Sequence, residues 1–291
     1  MKKKKSFIIL IVVLVLLFAK MLSGDESVFP ERKDGKLYVY AIDVGQADST
    51  LILFPDGENM LIDAGNREDT NLVTEFIKNA GIERLDYVVA THPHEDHIGG
   101  MCGVIESFEI GKLYMPDAIN TTIYYEDMLD SIEKNNVYLE IAEEGVVIKD
   151  DACRVEFVSP KDKKYDDLNH VSVVTKISYN ETAFLFMGDA EKINEYDMIE
   201  SYGDALQSDV LKIGHHGSDT SSSYEFLETV NPEIAFISLG KDNDYGHPHR
   251  EVKERLSKLE IPYYRTDEVG TILFISDGKE INVITEKEEV E

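Results

Sequence analysis

Within Thr91-His92-Pro93-His94-Glu95-Asp96-His97-Ile98-Gly99-Gly100, three histidines and an aspartate fall inside six positions. In extended backbone, residues i and i+2 point to the same side, so His92 and His94 can grip one cation together. Pro93 lacks the amide hydrogen of a ladder residue and keeps this stretch out of a paired strand. Asp96 and His97 lie at the start of the next helical stretch and can turn toward a second cation. Imidazole nitrogens with a carboxylate suit zinc, with manganese or iron as alternatives. A polar surface turn that gathers histidines by chance is the plain alternative. Four ligand-type side chains at one strand end make it a poor one.

One cluster cannot complete two cation sites, so partners must come from other strand ends. Phe184-Leu185-Phe186-Met187-Gly188-Asp189 sets an acid directly after an apolar strand and a glycine. Burying that carboxylate would be costly without a cation or a hydrogen-bond network, which makes Asp189 the natural bridge between two metals. Gly-Asp ahead of a helix is also a common N-cap, and only the nearby histidines tip the balance. Leu211-Lys212-Ile213-Gly214-His215-His216-Gly217-Ser218 repeats the theme of apolar strand, glycine and histidine. Adjacent side chains of an extended segment point opposite ways, so one of the pair ligates and the other faces substrate as a proton donor. Spacing does not choose between them. His247, in Asp244-Tyr245-Gly246-His247-Pro248-His249, either reaches the site or stays solvated. Asp43, Asp48 and Asp63 stand at strand ends and can accept the second N–H of a ligating imidazole. A simple turn role competes with this, most strongly for Asp48.

The elements that must carry these residues show as alternating blocks. Strands are predicted over 37–43, 49–54, 59–63, 85–91, 153–159, 171–179, 182–188, 209–214, 233–240, 271–276 and 281–285. Leu72, Val73, Phe76, Ile77 and Ala80 share one face of a helix over 70–80, and Gly81 ends it. Further helices are expected at 121–134, 190–202, 220–230 and 250–259. Bunched strands with interspersed helices make a mixed, layered α/β protein.

At the amino end, Lys2 to Lys5 precede the apolar run Phe7 to Ala19. Residues 1–24 therefore read as a signal peptide or an N-terminal membrane anchor, shorter than the ~20 apolar residues of a comfortable span. Uncleaved, the anchor would use residues 7–22. The positive-inside bias keeps the lysines cytoplasmic and sends the remainder outward, so the protein is expected to be extracellular, secreted or anchored to the outer face of the cytoplasmic membrane. A polar linker over 25–36, a folded domain over 37–286 and an acidic tail over 287–291 complete the division. The chain of 291 residues holds 29 Lys+Arg against 57 Asp+Glu, a formal net charge of -28. Setting aside the five lysines of residues 1–24 leaves 24 basic against 57 acidic side chains, or -33. Such a field repels polyanions at long range and disfavours a dedicated nucleic-acid surface. Cys102 and Cys153 have no metal-knuckle spacing and cannot form a disulfide framework.

The motif His92-Pro93-His94-Glu95-Asp96-His97 resembles the signature of the metallo-β-lactamase superfamily of hydrolases. Asp43-Val44-Gly45-Gln46-Ala47-Asp48-Ser49, Leu61-Ile62-Asp63-Ala64-Gly65, Met187-Gly188-Asp189-Ala190-Glu191, Leu211 to Ser218 and Tyr245-Gly246-His247-Pro248 follow in the order of one branch. That set is similar to the soluble hydrolase domain of ComEC-type DNA-uptake proteins and their stand-alone secreted relatives, over roughly residues 37–286. The resemblance implies a four-layer αβ/βα sandwich with two divalent cations at one edge. It also implies His92, His94, Asp96, His97, Asp189 and one of His215/His216 as metal ligands. His215 is assigned here as the ligand, and Asp96, His216 and His247 as the residues for catalysis. Many superfamily members carry one more histidine ligand before the bridging aspartate; His170 is the only candidate, and the ComEC-like pattern points to a loop residue instead. With a single apolar run, the chain cannot itself be a DNA channel.

Two cations ~3.5–4 Å apart bring the pKa of a bridging water toward neutrality and clamp both oxygens of a phosphodiester displacement. A metal-bridging hydroxide acting on a phosphodiester is thus the expected chemistry. A small or cell-surface phosphodiester suits the acidic field better than DNA, although a DNase-type nuclease follows from the resemblance. Nothing matches lactam-specific segments, and the intact ligand set argues against a non-catalytic binding module on the same fold.

Overall fold

The computed structural model describes residues 29–161 and 164–287. The expected signal or anchor and nearly all of the acidic tail lie outside them. The chain divides into two compact units, Met1–Arg32 and Lys33–Glu291, and the second carries everything that follows. Among the described residues no helix is long and apolar enough to cross a membrane.

The strands form two sheets. The first is built from β1 (Leu37–Ala41), β2 (Thr50–Leu53), β3 (Asn59–Ile62), β4 (Arg84–Val89), β5 (Glu109–Met115) and β6 (Leu139–Ile141). Two late strands, β14 (Ile272–Ser276) and β15 (Ile281–Thr285), return to it on the far side of β1. The second sheet is a continuous insert: β7 (Val147–Asp150), β8 (Arg154–Ser159), β9 (Val174–Tyr179), β10 (Thr182–Phe186), β11 (Val210–Lys212), β12 (Ile234–Ile237) and β13 (Tyr263–Arg265). Each sheet has an antiparallel half and a parallel half. The parallel runs are β3-β4-β5-β6 and β10-β11-β12-β13. Their crossovers carry helices, among them Thr70–Asn79, Ile123–Lys134, Lys192–Tyr202 and Arg250–Lys258.

Strand alternation sorts the core into layers. Leu37, Val39 and Ala41 of β1 point between the sheets, where Phe184 and Phe186 of β10, Phe236 and Phe274 meet them. Phe236 and Phe274 rings pack 5.4 Å apart, and each such buried side chain contributes about 1.5–3 kcal/mol of burial free energy. On the other face of β1, Tyr40 meets Phe76 of the helix Thr70–Asn79 edge to face at 5.5 Å. Leu185 of β10 likewise points outward, into a second cluster with Met198, Phe226 and Leu256 from the helices. Helix, sheet, sheet, helix is the four-layer α/β sandwich expected.

Four strands escape the alternation rule. β6, β7 and β13 are edge strands of three or four residues, too short to show a period. β5 is interrupted by Gly111, where a Cβ would come within 2.5 Å of the Asp86 carbonyl oxygen on β4. Close approach of the two backbones demands glycine there, and the strand reads as a loop.

Candidate metal centre

Every candidate ligand leaves the C-terminal end of a parallel strand, where open α/β sheets bind their ligands. β3 runs into Asp63, β4 into Thr91 and His92, β10 into Asp189, β11 into the turn Gly214–Gly217, and β12 into the 241–249 loop. His94 has extended backbone and caps the short helix Glu95–Ile98, which carries Asp96 and His97 back toward the strand ends. Gly100 seals this turn against β3: a Cβ there would lie 2.2 Å from the Ala64 carbonyl oxygen.

Asp189, 2% exposed, stands at the middle, and its two oxygens face different groups. Oδ2 lies 3.8 Å from His92 Nε2 and 3.8 Å from His215 Nε2, while His94 Nδ1 is 3.0 Å from His92 Nε2. Oδ1 lies 3.3 Å from His97 Nε2 and 3.5 Å from His216 Nε2; Asp96 Oδ2 is 3.2 Å from His216 Nε2. Ligands held at about 2.0–2.2 Å from a tetrahedral cation sit roughly 3.3 Å from one another, and the group on Oδ1 has that spacing. His97 Nε2 and Asp189 Oδ1 are buried and make no hydrogen bond, as donor atoms reserved for a cation would. Asp48, His97, Asp189 and His216 offer ligand atoms all within 4.8 Å of one another.

Outer contacts aim these rings. Asp63 Oδ2 accepts from His97 Nδ1 at 2.7 Å, which fixes the tautomer that turns Nε2 to the centre. Asp63 is itself held by the Thr91 amide at 2.8 Å and hydroxyl at 2.7 Å. The Ser238 carbonyl accepts from His216 Nδ1 at 2.9 Å. Glu191 spans two imidazoles, His215 Nδ1 at 3.0 Å and His170 Nε2 at 3.1 Å. The crowd of charges shifts titration strongly. Burial would depress His216, but Asp189, Asp48 and Asp96 outweigh it and push the imidazole up to about 9. His97 is held well above its usual value in the same way, against burial, by Asp189, Asp63 and Asp96. Asp189 is kept well below the usual carboxylate range, despite burial, by His216, His97 and His92. His92, buried and beside His97 and His94, falls well below an ordinary histidine.

His92, His94, Asp96, His97, Asp189, His215 and His216 are thus all brought together. The division of labour expected for the histidine pair is not the one seen. His215 and His216 are both left-handed, with φ of 49° and 51°, rather than extended, so both rings can turn toward Asp189. His216 is the buried member at 2% exposure and cannot serve as a substrate-facing acid. His247 sits at the open side, its ring stacked against His216 at 6.5 Å and near His215 at 5.8 Å. Burial, then His216 and His249, push it down to about 4. His170 lies in a turn and reaches the centre only through Glu191. Asp43 pairs with Lys287 at 3.6 Å and holds no imidazole. Asp48 is more than a turn residue: at 2% exposure it pairs with Lys212 Nζ at 2.5 Å, behind His97 and His216. Lys212 and Glu191 were missed from sequence. Lysine in the middle of the apolar stretch Val210-Leu211-Lys212-Ile213-Gly214 was the available signal, since a buried ammonium needs a carboxylate.

Comparison with known proteins agrees with this geometry. The family model of the metallo-beta-lactamase superfamily matches residues 42–241. The chain is 30% identical over 250 residues to ComE operon protein 3 of Bacillus subtilis, covering 80% of this chain and 32% of that protein. It is 32% identical over 264 residues to competence protein ComA of Neisseria gonorrhoeae, covering 89% and 35%. The chain therefore spans about a third of the length of these relatives, and the expected ComEC-type resemblance holds within that third. Among solved structures, the metallo-beta-lactamase fold protein YhfI from Bacillus subtilis superposes with a TM-score of 0.57 at 10% identity, covering 83% of this chain and 100% of that one. With its sandwich fold, its strand-end histidines and the match over residues 42–241, the chain belongs to the metallo-β-lactamase superfamily.

Proposed function

We propose that the protein is a binuclear metal-dependent phosphodiesterase, exported as residues 1–24 suggest. The observation that carries this reading is the two-sided carboxylate of Asp189. His92, His94, His215 and Asp189 Oδ2 would hold one cation; Asp96, His97, His216 and Asp189 Oδ1 would hold the other. Bound there, two divalent ions supply Lewis acidity to a phosphoryl group and acidify water to a nucleophile at neutral pH. The protein's own part is positioning. Asp63, Glu191 and the Ser238 carbonyl lock the ligating rings, and the Asp48–Lys212 pair backs them in a dry setting. His247, on the open side, is placed to hydrogen-bond a phosphoryl oxygen of the substrate.

The test is metal content together with hydrolysis of bis-p-nitrophenyl phosphate, single-stranded DNA and nitrocefin, with and without EDTA. Two equivalents of metal and EDTA-sensitive diester cleavage are expected. Nitrocefin turnover without diester cleavage would overturn the reading. A nuclease is the second reading, favoured by the competence proteins among the relatives.

A further inference from the structure

The metal centre contains an ammonium that the chemistry above leaves unused. Lys212 on β11 pairs in register with Phe186 of β10 and Phe236 of β12, so its side chain enters the apolar layer between the sheets. It is buried, at 3% exposure. Its Nζ donates to the carbonyls of Gly188 at 3.2 Å and Ile213 at 3.3 Å, one residue ahead of Asp189 and two ahead of His215. Across the layer it meets Asp48 Oδ2 at 2.5 Å. Apart from this ion pair, neither carboxylate oxygen of buried Asp48 has a hydrogen-bond partner. The imidazole nitrogens beside it are already engaged. His97 Nδ1, 3.7 Å away, donates to Asp63, and His216 Nδ1, 3.8 Å away, donates to the Ser238 carbonyl. Among the described residues, Lys212 is the group that holds this carboxylate.

Without the ammonium, Asp48 has another destination. One of its oxygens lies within 4.8 Å of ligand atoms of His97, Asp189 and His216, so a small shift would bring it onto a cation there. That cation already has Asp96, His97, His216 and Asp189 Oδ1 in reach. Asp48 would be a fifth protein ligand and would fill the position that a catalytic site keeps open. Charge points the same way. Asp96 and Asp189 face the ring nitrogens of the centre, while Asp48, Asp63 and Glu191 stand behind the rings. Two divalent cations and one ammonium balance these five carboxylates, and removing the ammonium leaves a buried acid uncompensated.

We propose that Lys212 is a built-in third cation that withholds Asp48 from the metal, keeping one coordination position open and the carboxylates of the loaded centre balanced. Lys212 acts through Asp48 and is thus a positioning residue. The inference rests on the two-cation centre of the reading above and not on its substrate.

The experiment compares wild type, Lys212→Met and Asp48→Asn/Lys212→Met as full chains. Three readouts are taken: zinc titration against a competing chelator, visible absorption of the cobalt(II)-substituted proteins, and thermal unfolding in EDTA. Lys212→Met should bind one zinc ion about 10–100-fold more tightly than wild type, the scale on which groups around a ligand shell act. Its cobalt bands should lose intensity, because an added carboxylate raises the coordination number. In EDTA its Tm should fall by about 6–20 °C, the cost of a buried acid without its partner. If it does not fold without metal, it is purified and read with cobalt bound. Asp48→Asn/Lys212→Met removes acid and ammonium together, so it should keep two equivalents, near wild-type affinity and the wild-type spectrum. Loss of a cation or a changed spectrum in this double variant would make Asp48 a ligand of the wild type and overturn the proposal. Wild-type affinity in Lys212→Met overturns it as well, as does tighter binding with an unaltered spectrum, which would leave the ammonium a distant charge only. A wild type that binds fewer than two equivalents sinks the two-cation reading itself. Two equivalents in wild type with an unresponsive Lys212→Met sinks this inference alone.

Discussion

Replacing Asp189 by asparagine keeps the shape of the side chain and removes the charge that both ligand groups share. In the metal-free protein that charge holds His97 and His216 in their protonated forms. The rise of His216 from 6.5 to about 9 corresponds to ~3 kcal/mol in favour of its charged form, and Asp189 leads Asp48 and Asp96 among its causes after burial. From its share of that shift, Asp189→Asn should cost the metal-free protein about 1–3 kcal/mol, which for a domain of this size lowers Tm by about 2–12 °C. The sign in pH follows from the raised imidazoles. Their stabilisation is fully present below the unfolded value of 6.5 and is lost as pH rises through about 9. Wild type and variant should therefore differ most at pH 5–6.5 and converge by about pH 10. The assay is thermal unfolding by circular dichroism in EDTA at several pH values, paired with metal analysis of both proteins at pH 7.5. With metal supplied, the variant should hold at least one equivalent less than wild type and lose nearly all hydrolysis. A stability difference that stays constant from pH 6 to 10, or full metal content in the variant, would refute the shared-carboxylate argument.

Glu191→Gln should weaken metal binding about 10–100-fold as measured with a competing chelator, because it loosens His215, whereas His170→Ala should retain both equivalents. Cys153 is 1% exposed and its thiol is pushed up to about 12 by burial, so mass spectrometry should find it unmodified by iodoacetamide at pH 8 until the protein unfolds. Glu195, fully buried, accepts from the backbone amides of Ser222 and Ser223. Glu195→Ala strands both donors and should cost about 2–5 kcal/mol in urea unfolding, with new proteolytic cleavage in 218–223.

Much of the centre was legible because its ligands cluster just after apolar runs, with a glycine or proline close by, the local signature of a buried strand end. His92, His94, Asp96 and His97 stood out by that adjacency, whereas Asp189 needed the nearby histidines to be told from a helix N-cap. The His215–His216 pair was misjudged because side-chain direction depends on φ, and no residue type announces two consecutive left-handed histidines. Lys212 and Glu191 act across the fold, on Asp48 and His170, and long-range pairing leaves no periodic trace. Helices with a clear apolar stripe, such as Thr70–Asn79, were found, and edge strands of three or four residues were not.

The insertion of one sheet inside the other has a consequence during synthesis. β1 gains β2 as soon as the next turn is made, but its other neighbour, β14, follows about 230 residues later. At about 5–20 residues per second the ribosome takes roughly 10–50 s to deliver it. For that interval Leu37–Ala41 presents a bare rim of amides and carbonyls to anything that can pair with it. A chain stopped at Gly270 should therefore self-associate on size-exclusion chromatography even with every proposed metal ligand present. The first strand made in the domain is among the last to be sheltered.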